Sequence, residues 1–518
     1  MTFLEKFRRA RIVGTPLIAI ACPDPSATMT RIQTELFNAT AEPGQGRLET
    51  PVIQWDVIDG WRMRNKAGQE AMEKALDAVN ADQVQTVNPV ESLKIAAYLP
   101  EQTVLFMLNV HHFMDAPAFL QALWNLRDNF KSKTCSVCMI GPEFTLPEQL
   151  HEDVFMLDEP LPDENELRRI VCDLIEGTEL ALDPNTVEAA TDALRGLSAF
   201  PAEQSVAMNL RKVGLDIDGL WDRKRKLISS TPGLRVYTGP EKFEAIGGCD
   251  QIKSFMRGVI KGKEAPNVVV FIDEGEKMFA GASGDTNDSS GVSQDFLATT
   301  LSYMEDNECD GAIFVGPPGA AKSAIAKATG NEAGVPTIML DLGGMKGGLV
   351  GKSEQQLRAA YKVVTAVGGG KAFFVMTCNK IVELPPELRR RFTSGIFFFD
   401  LPSKEERDII WKIYLNKYGL STTTDKAEDW GKYIKDEGWT GAEIRNCCRM
   451  AYRQGITIHE ASKYIVPVAK AAATQIQSLR RQASGAYLSA NEEGVYTWED
   501  ASQVTAHTTP QQRKVILD

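Results

Sequence analysis

Two short segments constrain this chain more than anything else in it. Asn267 to Lys277 reads NVVVFIDEGEK, an unbroken apolar run ending in the paired carboxylates Asp273 and Glu274. About forty residues later, Gly316 to Ser323 reads GPPGAAKS and follows a second apolar run, Ala312-Ile-Phe-Val315. Short apolar runs bounded by turn residues or charge read as strands covered on both faces, the pattern of a parallel sheet flanked by helices. Ligands of such sheets gather at the carboxyl ends of the strands, and both segments carry their polar chemistry there. The loop Gly316 to Ala321 opens a helix running through Ala328, so its backbone N–H groups can wrap an anion at a helix N-terminus. Lys322 is then placed to reach phosphate oxygens and Ser323 to offer a hydroxyl to a divalent cation. At the other strand, Asp273 would hold Mg2+ through water and Glu274 would polarise an attacking water. Alone, an apolar run before Asp-Glu is a weak signal; beside a phosphate loop it is a strong one.

The rest of the composition sets bounds. A length of 518 residues is roughly three domain-lengths, and 43% apolar with 24% charged residues is ordinary globular composition. The formal charge of −12 disfavours a broad electrostatic grip on nucleic acid. No apolar stretch reaches membrane-spanning length. Ile12 to Ala21 is interrupted by Pro16 and reads as a strand rather than a leader, so a cytoplasmic location without membrane contact is expected. The close cysteine pair Cys135-Ser-Val-Cys138 falls in an apolar run and reads as buried thiols rather than a zinc site.

Strand-like and helix-like segments alternate from the start of the chain. Pro16 to Ala21, Pro51 to Ile58 and Thr103 to Leu108 are strand-like, with amphipathic helices such as Gln69 to Val79 between them. A repeat then appears. Leu146-Pro-Glu-Gln-Leu-His-Glu-Asp-Val-Phe155, continuing to Leu161-Pro162, echoes Leu384-Pro-Pro-Glu-Leu-Arg-Arg-Arg-Phe392, continuing to Leu401-Pro402. Two copies of one α/β module, each followed by a helical region, are expected. The expected domains are an α/β domain at 1–162 with its helical lid at 163–230, a second α/β domain at 240–402 with its lid at 403–460, and a C-terminal extension at 461–518 ending in a polar tail.

Two further groups belong with the phosphate chemistry. Phe373-Phe-Val-Met-Thr-Cys-Asn379 is an apolar strand ending in an amide that could hydrogen-bond a terminal phosphate or the attacking water. Arg389-Arg390-Arg391 is a basic triplet at a helix end; it is either a solvated cluster or an arginine finger that completes a neighbouring subunit's site. Together with Ile246-Gly-Gly248, Val350-Gly-Lys-Ser-Glu354 and Gly441-Ala-Glu-Ile444, these segments resemble the AAA+ ATPase module. GPPGAAKS stands as its Walker A loop and FIDE as its Walker B strand. The pattern resembles that of the Ycf-type proteins, named after a chloroplast reading frame, which pair a degenerate AAA-like domain with an active one. The resemblance covers most of residues 10 to 460.

From the resemblance come expectations of fold, site and work. The fold is tandem P-loop modules with parallel sheets of spatial order 5-1-4-3-2. The site is for ATP and Mg2+. Ile246, Gly247 and Gly248 would face adenine. Gly316, Pro317, Pro318, Gly319, Ala320, Ala321, Lys322, Ser323 and Ala324 would hold the phosphates, and Ser323 and Asp273 the metal. Glu274 and Asn379 would be catalytic, with one or more of Arg389, Arg390 and Arg391 acting in trans. Met345 to Val350 and Gly281 to Ser293 match the two central-pore loops, although Leu349 replaces the usual aromatic. Two positions depart from the pattern: Ala321 replaces the pre-lysine glycine, and Glu443 is acidic where a sensor-2 basic residue is usual, leaving Arg445 as a substitute. The first module lacks the chemistry, with Cys22-Pro-Asp-Pro-Ser-Ala-Thr28 in the loop position, Leu108-Asn109 for the carboxylates and His151-Glu152 for the arginines.

The resemblance also exposes an inversion, because the usual order places Walker A before Walker B. Moving the Walker B strand and its helix ahead changes connections only at the amino edge of the sheet. Every strand stays parallel and every loop stays on the carboxyl edge, so a circularly permuted module can keep its site. The expected work is ATP-driven remodelling of a protein or macromolecular complex by a homo-oligomeric ring or spiral, with a hexamer favoured. A nucleic-acid motor or loader and a nucleotide-gated scaffold with little turnover are the alternatives.

Overall fold

A computed structural model describes residues 2–39, 49–79, 87–142, 144, 146–176, 178, 180, 182–279, 292–341, 345, 352–420 and 434–498. The chain divides into two compact units: Met1–Ala181 with Leu197–Leu210, and Leu182–Gly196 with Arg211–Asp518. The helical stretch 163–230 is therefore shared. Helices Glu164–Glu176 and Ala199–Asn209 belong to the first unit, and Pro184–Leu194 and Ile217–Ser230 to the second.

The first unit is built on strands β1 (Leu17–Ala21), β2 (Val52–Asp56), β3 (Gly60–Met63), β4 (Val104–Leu108), β5 (Ser136–Gly141) and β6 (Val154–Asp158). They lie in the order β6-β1-β5-β4-β2-β3, parallel throughout except for the β2–β3 hairpin. Alternate residues feed two cores, as the period of two requires. Ile18, Ile20, Phe106 and Ile140 pack on helices Phe3–Ile12 and Pro25–Ala39 through Phe7, Met29 and Ile32. Leu17, Leu105, Met107 and Met139 pack on helix Pro117–Ser132 through Phe119, Leu123 and Phe130. Cys138 is buried in β5 and its thiol is pushed up to about 12 by that burial.

The second unit carries β7 (Leu234–Val236), β8 (Val268–Ile272), β9 (Asp310–Val315), β10 (Thr337–Leu340), β11 (Ala372–Cys378), β12 (Gly395–Phe398) and β13 (Leu488–Ser489). Their order is β13-β12-β9-β11-β8-β10-β7, and every pair but β10–β7 is parallel. The five inner strands thus have the 5-1-4-3-2 arrangement of the AAA+ P-loop fold. The sheet of the first unit has the same plan, with β6, β1, β5, β4 and β2 in the corresponding places and an antiparallel strand at the edge. In the first unit those positions are filled in ordinary chain order. In the second, β8 comes before β9.

This order is accommodated by two helices on one face. Helix Val292–Asp306 comes after β8 in the chain and feeds β9, burying Phe296, Thr300 and Met304. Helix Lys352–Gly368 buries Leu357, Ala360, Tyr361 and Val364, then runs through Gly369-Gly370 into β11. The two pack together, with Tyr303 stacked on Tyr361 at 4.2 Å and Tyr361 Oη donating to Thr300 Oγ1 at 2.9 Å. The opposite face carries helices Asp250–Lys261 and Lys322–Ala333. Beyond β12, helices Lys404–Tyr418 and Gly441–Gln454 share a core of Ile410, Trp411, Trp439, Ile444 and Cys447. Helix Ala473–Ala483 and β13 then return to the sheet, where β13 adds a parallel edge beside β12.

Candidate functional site

β9 ends at Val315 and the loop Gly316 to Ala321 turns into helix Lys322–Ala333. Gly316 is needed by close approach, since a Cβ there would stand 2.2 Å from the Phe399 carbonyl oxygen. Ala321 sits in the left-handed region at φ +67 and ψ 3, the conformation that the glycine it replaces would adopt without strain. Lys322 is folded back into the loop. Its Nζ donates to Gly316 O at 2.6 Å, Pro317 O at 2.8 Å and Asn379 Oδ1 at 3.1 Å. Burial lowers its pKa to about 8, against the pull of Glu276, Asp273 and Glu274 in the other direction.

β8 delivers its two carboxylates to the same place. Ser323 Oγ donates to Asp273 Oδ1 at 2.9 Å, across fifty residues of sequence. β11 lies between β8 and β9 and supplies the hydroxyl that joins them: Thr377 Oγ1 donates to Asp273 Oδ1 at 2.6 Å and accepts the Glu274 N–H at 3.0 Å. Glu274 is left-handed at φ +52 and its carboxylate holds Lys277 at 2.7 Å. Buried Glu276 accepts the Asn379 N–H at 3.1 Å. Asn379 is thereby fixed between the carboxylate strand and the lysine.

These groups border a cavity of about 380 Å³. It is lined by Pro318 to Ala324, Asp273, Glu274, Thr377 and Asn379, and by Ile246, Gly247, Cys249, Ile410 and Tyr414 together with the charged Asp400, Glu406 and Arg445. Gly316, Pro317 and Gly248 are outside the lining. Gly248, at φ +71, is instead pressed to Glu406, whose Oε1 would be 2.6 Å from a Cβ.

Residues 3–159 fit the family described as SpoVK-like AAA ATPase, N-terminal domain, and residues 312–369 fit the ATPase family associated with various cellular activities. The chain is 26% identical over 498 residues to the "Uncharacterized AAA domain-containing protein ycf46" of Trieres chinensis, covering 85% of this chain and 90% of that one. The protein of that description from Guillardia theta is 22% identical over 550 residues, covering 93% and 95%. That from Pyropia yezoensis is 24% identical over 491 residues, covering 83% and 88%. The chain carries AAA ATPase domains and is homologous to the ycf46 AAA proteins.

The remaining AAA positions are dispersed. Arg445 lines the cavity. Glu443 does not; it is the third residue of helix Gly441–Gln454 and closes a capping box, accepting the Thr440 N–H at 2.7 Å and the Thr440 hydroxyl at 3.1 Å. An acidic residue at this position therefore caps the helix. Of the arginine triplet, Arg391 pairs with Glu305 at 2.6 Å, Arg389 is half-buried and Arg390 is exposed. None of the three lines the cavity. Of the segments matched to the pore loops, Gly281 to Ser293 and Met345 to Val350, residues 281–291 and 346–350 lie outside the described residues.

The corresponding places of the first unit hold other chemistry. Ala21 pairs with Gly141 and Asp158 as Val315 pairs with Cys378 and Phe398, so Cys22 takes the place of Gly316. Only Cys22 to Asp24 separate β1 from its helix, and Asp24 Oδ1 accepts the Ala27 N–H at 3.1 Å. A carboxylate thus stands at the helix N-terminus where a phosphate loop leaves room for an anion. Asn109 follows β4 in the left-handed region at φ +55, as Glu274 does after β8. The backbone turn is kept and the acid is lost.

Sequence reading missed Thr377, Glu276 and Asn491, which also lines the cavity. A signal existed for Thr377: it is a polar residue in an otherwise apolar strand, two before Asn379. Asn491 lies far beyond the helical region that closes the AAA pattern, and nothing local marks it.

Proposed function

We propose that the second unit binds ATP with Mg2+ and hydrolyses it, and that the chain uses the cycle to remodel a protein or macromolecular complex as a ring or spiral oligomer. The observation that carries this reading is the 2.9 Å contact between Ser323 and Asp273, with Lys322 and Glu274 beside it. Ser323 and Asp273 are an oxygen pair suited to a hard divalent cation, which keeps several waters and takes few protein ligands. They would hold Mg2+, and the ion would supply charge neutralisation on the phosphates. Lys322 would exchange its carbonyl partners for phosphate oxygens. Glu274, at the cavity wall with its N–H held by the Thr377 hydroxyl, would exchange Lys277 for a water that it orients and deprotonates. Asn379 would report the terminal phosphate to β11. Arg390, exposed at the end of a short helix, is the member of the triplet best placed to enter a neighbouring subunit's site.

In this reading the early position of β8 is a rearrangement of chain order that leaves the carboxyl edge intact. The first unit is a non-hydrolysing partner module, since Asp24 stands where an anion would sit. The experiment pairs Lys322→Ala with Glu274→Gln. Lys322→Ala should lose nucleotide binding; Glu274→Gln should bind, stop turnover and accumulate oligomers that retain the substrate, identified by pull-down for protein and nucleic acid alike. Full ATP turnover by the Glu274→Gln chain would end this assignment.

A further inference from the structure

The C-terminal extension contributes one side chain to the cavity. Residues 488–491 are fastened on both sides: the Ala490 N–H donates to Phe398 O at 3.0 Å, and Ala490 O accepts the Ile252 N–H at 3.0 Å. Ser489 Oγ accepts the Asn491 and Glu492 N–H groups at 3.3 and 3.1 Å. Asn491 is thus delivered to the cavity by a fixed turn, beside Glu406.

Its amide has one allowed orientation. Glu406 Oε1 accepts the Cys249 N–H at 3.1 Å, and Oε2 accepts the Ser403 N–H at 2.8 Å and Asn491 Nδ2 at 3.0 Å. A carboxylate only accepts, so the Asn491 NH2 must face Glu406 and the carbonyl must face away. That carbonyl oxygen is buried and has no hydrogen-bond partner among the described residues. A buried acceptor left unpaired is costly, and it awaits a donor.

We propose that Asn491 selects the base of the nucleotide, its Oδ1 accepting a hydrogen bond from the exocyclic 6-amino group of adenine. The proposal rests on the nucleotide reading of the cavity given above. The phosphates are assigned to the loop at Lys322, which leaves for the base the wall where Gly247 meets Ile410 and Glu406 holds Asn491. Guanine presents a carbonyl at the same ring position and meets the Asn491 oxygen acceptor to acceptor. Discrimination between adenine and guanine is therefore written in a residue of the extension, outside both the α/β domain and its helical lid. Because Glu406 is the first turn of the lid helix and also receives the Cys249 N–H, one carboxylate sets the pose of the reading residue and ties it to the Gly247-Gly248 turn.

Equilibrium binding of the full chain to ADP, GDP and purine riboside 5′-diphosphate, which lacks the 6-amino group, tests this without hydrolysis. The unaltered protein should prefer ADP to the amino-free analogue by about three- to tenfold, the worth of one neutral hydrogen bond, and should bind GDP more weakly than both. Asn491→Ala should bring ADP down to the analogue while leaving the analogue itself unchanged. Equal binding of ADP and the analogue by the unaltered chain overturns the proposal, as does an undiminished ADP preference in Asn491→Ala. Should Asn491→Ala fail to fold, the unaltered chain's own ratio and an ADP-bound structure decide, the 6-amino group within hydrogen-bonding reach of Oδ1 supporting and a base lying elsewhere overturning. If none of the three nucleotides binds, or Lys322→Ala binds them all as the unaltered chain does, the fault lies with the nucleotide reading and both fall together.

Discussion

Replacing Ala321 by glycine should stabilise the second unit. The residue precedes helix Lys322–Ala333 with φ +67 and ψ 3, and its carbonyl accepts the Ile325 N–H at 3.0 Å, so the left-handed geometry is locked by the helix it starts. An L-residue in this region costs roughly 1–2 kcal/mol through contact of its Cβ with the following carbonyl. Glycine removes that cost and adds about 0.4–1 kcal/mol of unfolded-chain entropy. The difference leaves a net gain of about 0–1.6 kcal/mol, centred near 0.8, for Ala321→Gly. Urea unfolding should show it as a higher midpoint at unchanged slope, in the transition that ADP also shifts. Nucleotide affinity should hold, because the loop already has the conformation glycine would give it. Ala321→Val, β-branched in the same conformation, should lose stability. A loss of 0.5 kcal/mol or more in Ala321→Gly would refute the strain argument and mean that the methyl group packs usefully where it is.

Three other outcomes are expected. Lys322 has a folded-state pKa of about 8, below its ordinary 10.5, so the unfolded chain holds more protons between those values and stability should rise with pH across that window; phosphate needs the charged form, so ADP affinity should fall above pH 8, and in Lys322→Arg it should not. Thr377→Val keeps shape but leaves the Asp273 oxygen and the Glu274 N–H without their shared hydroxyl, and should slow ATP turnover by about 10- to 100-fold at a cost of about 1–3 kcal/mol, with metal-free ADP binding retained; turnover within twofold of the unaltered chain would count against the role given to Thr377. Mixing an Arg390/Arg391 double mutant with Lys322→Ala subunits should restore activity through hybrid interfaces, measured as ATPase above the sum of the separate proteins, since an arginine finger is worth about 10³–10⁵ in rate.

Much of the sheet was legible because its strands announce themselves. The runs at 268–272, 312–315 and 373–376 are apolar on both faces, as buried parallel strands must be, and each ends in the residue type its loop requires. The placement of β11 between β8 and β9 followed from the fold that those loops resemble, and Asp273 meets Ser323 across it. What stayed hidden depends on contacts that sequence spacing does not encode. Thr377 acts on Asp273 and Glu274 from over a hundred residues away, and Asn491 reaches Glu406 from 85. The role of Glu443 was hidden differently: the AAA resemblance implies a sensor-2 position there, whereas the spacing from Thr440 already spells a capping box. The sharing of 163–230 between two compact units was out of reach because amphipathic helices declare that they are buried, not against what.

The order in which β8 and β9 appear changes how the sheet is made during synthesis. In the first unit β1 finds no partner until β5, as Ala19 pairs with Met139 some 120 residues later. In the second unit Val269 of β8 pairs with Thr337, and Ala312 of β9 with Val375, each within about 70 residues. At about 5–20 residues per second on the ribosome, a bare apolar strand then waits roughly 3–14 s for its first neighbour rather than 6–24 s. Unpaired apolar edges are what aggregate while a parallel sheet assembles. This order shortens that wait for β9 relative to β1 and lengthens it for β8, whose counterpart β4 finds β2 already made, Val104 pairing back to Val52, so the exposed apolar edge of the nascent sheet moves from the phosphate-loop strand to the carboxylate strand.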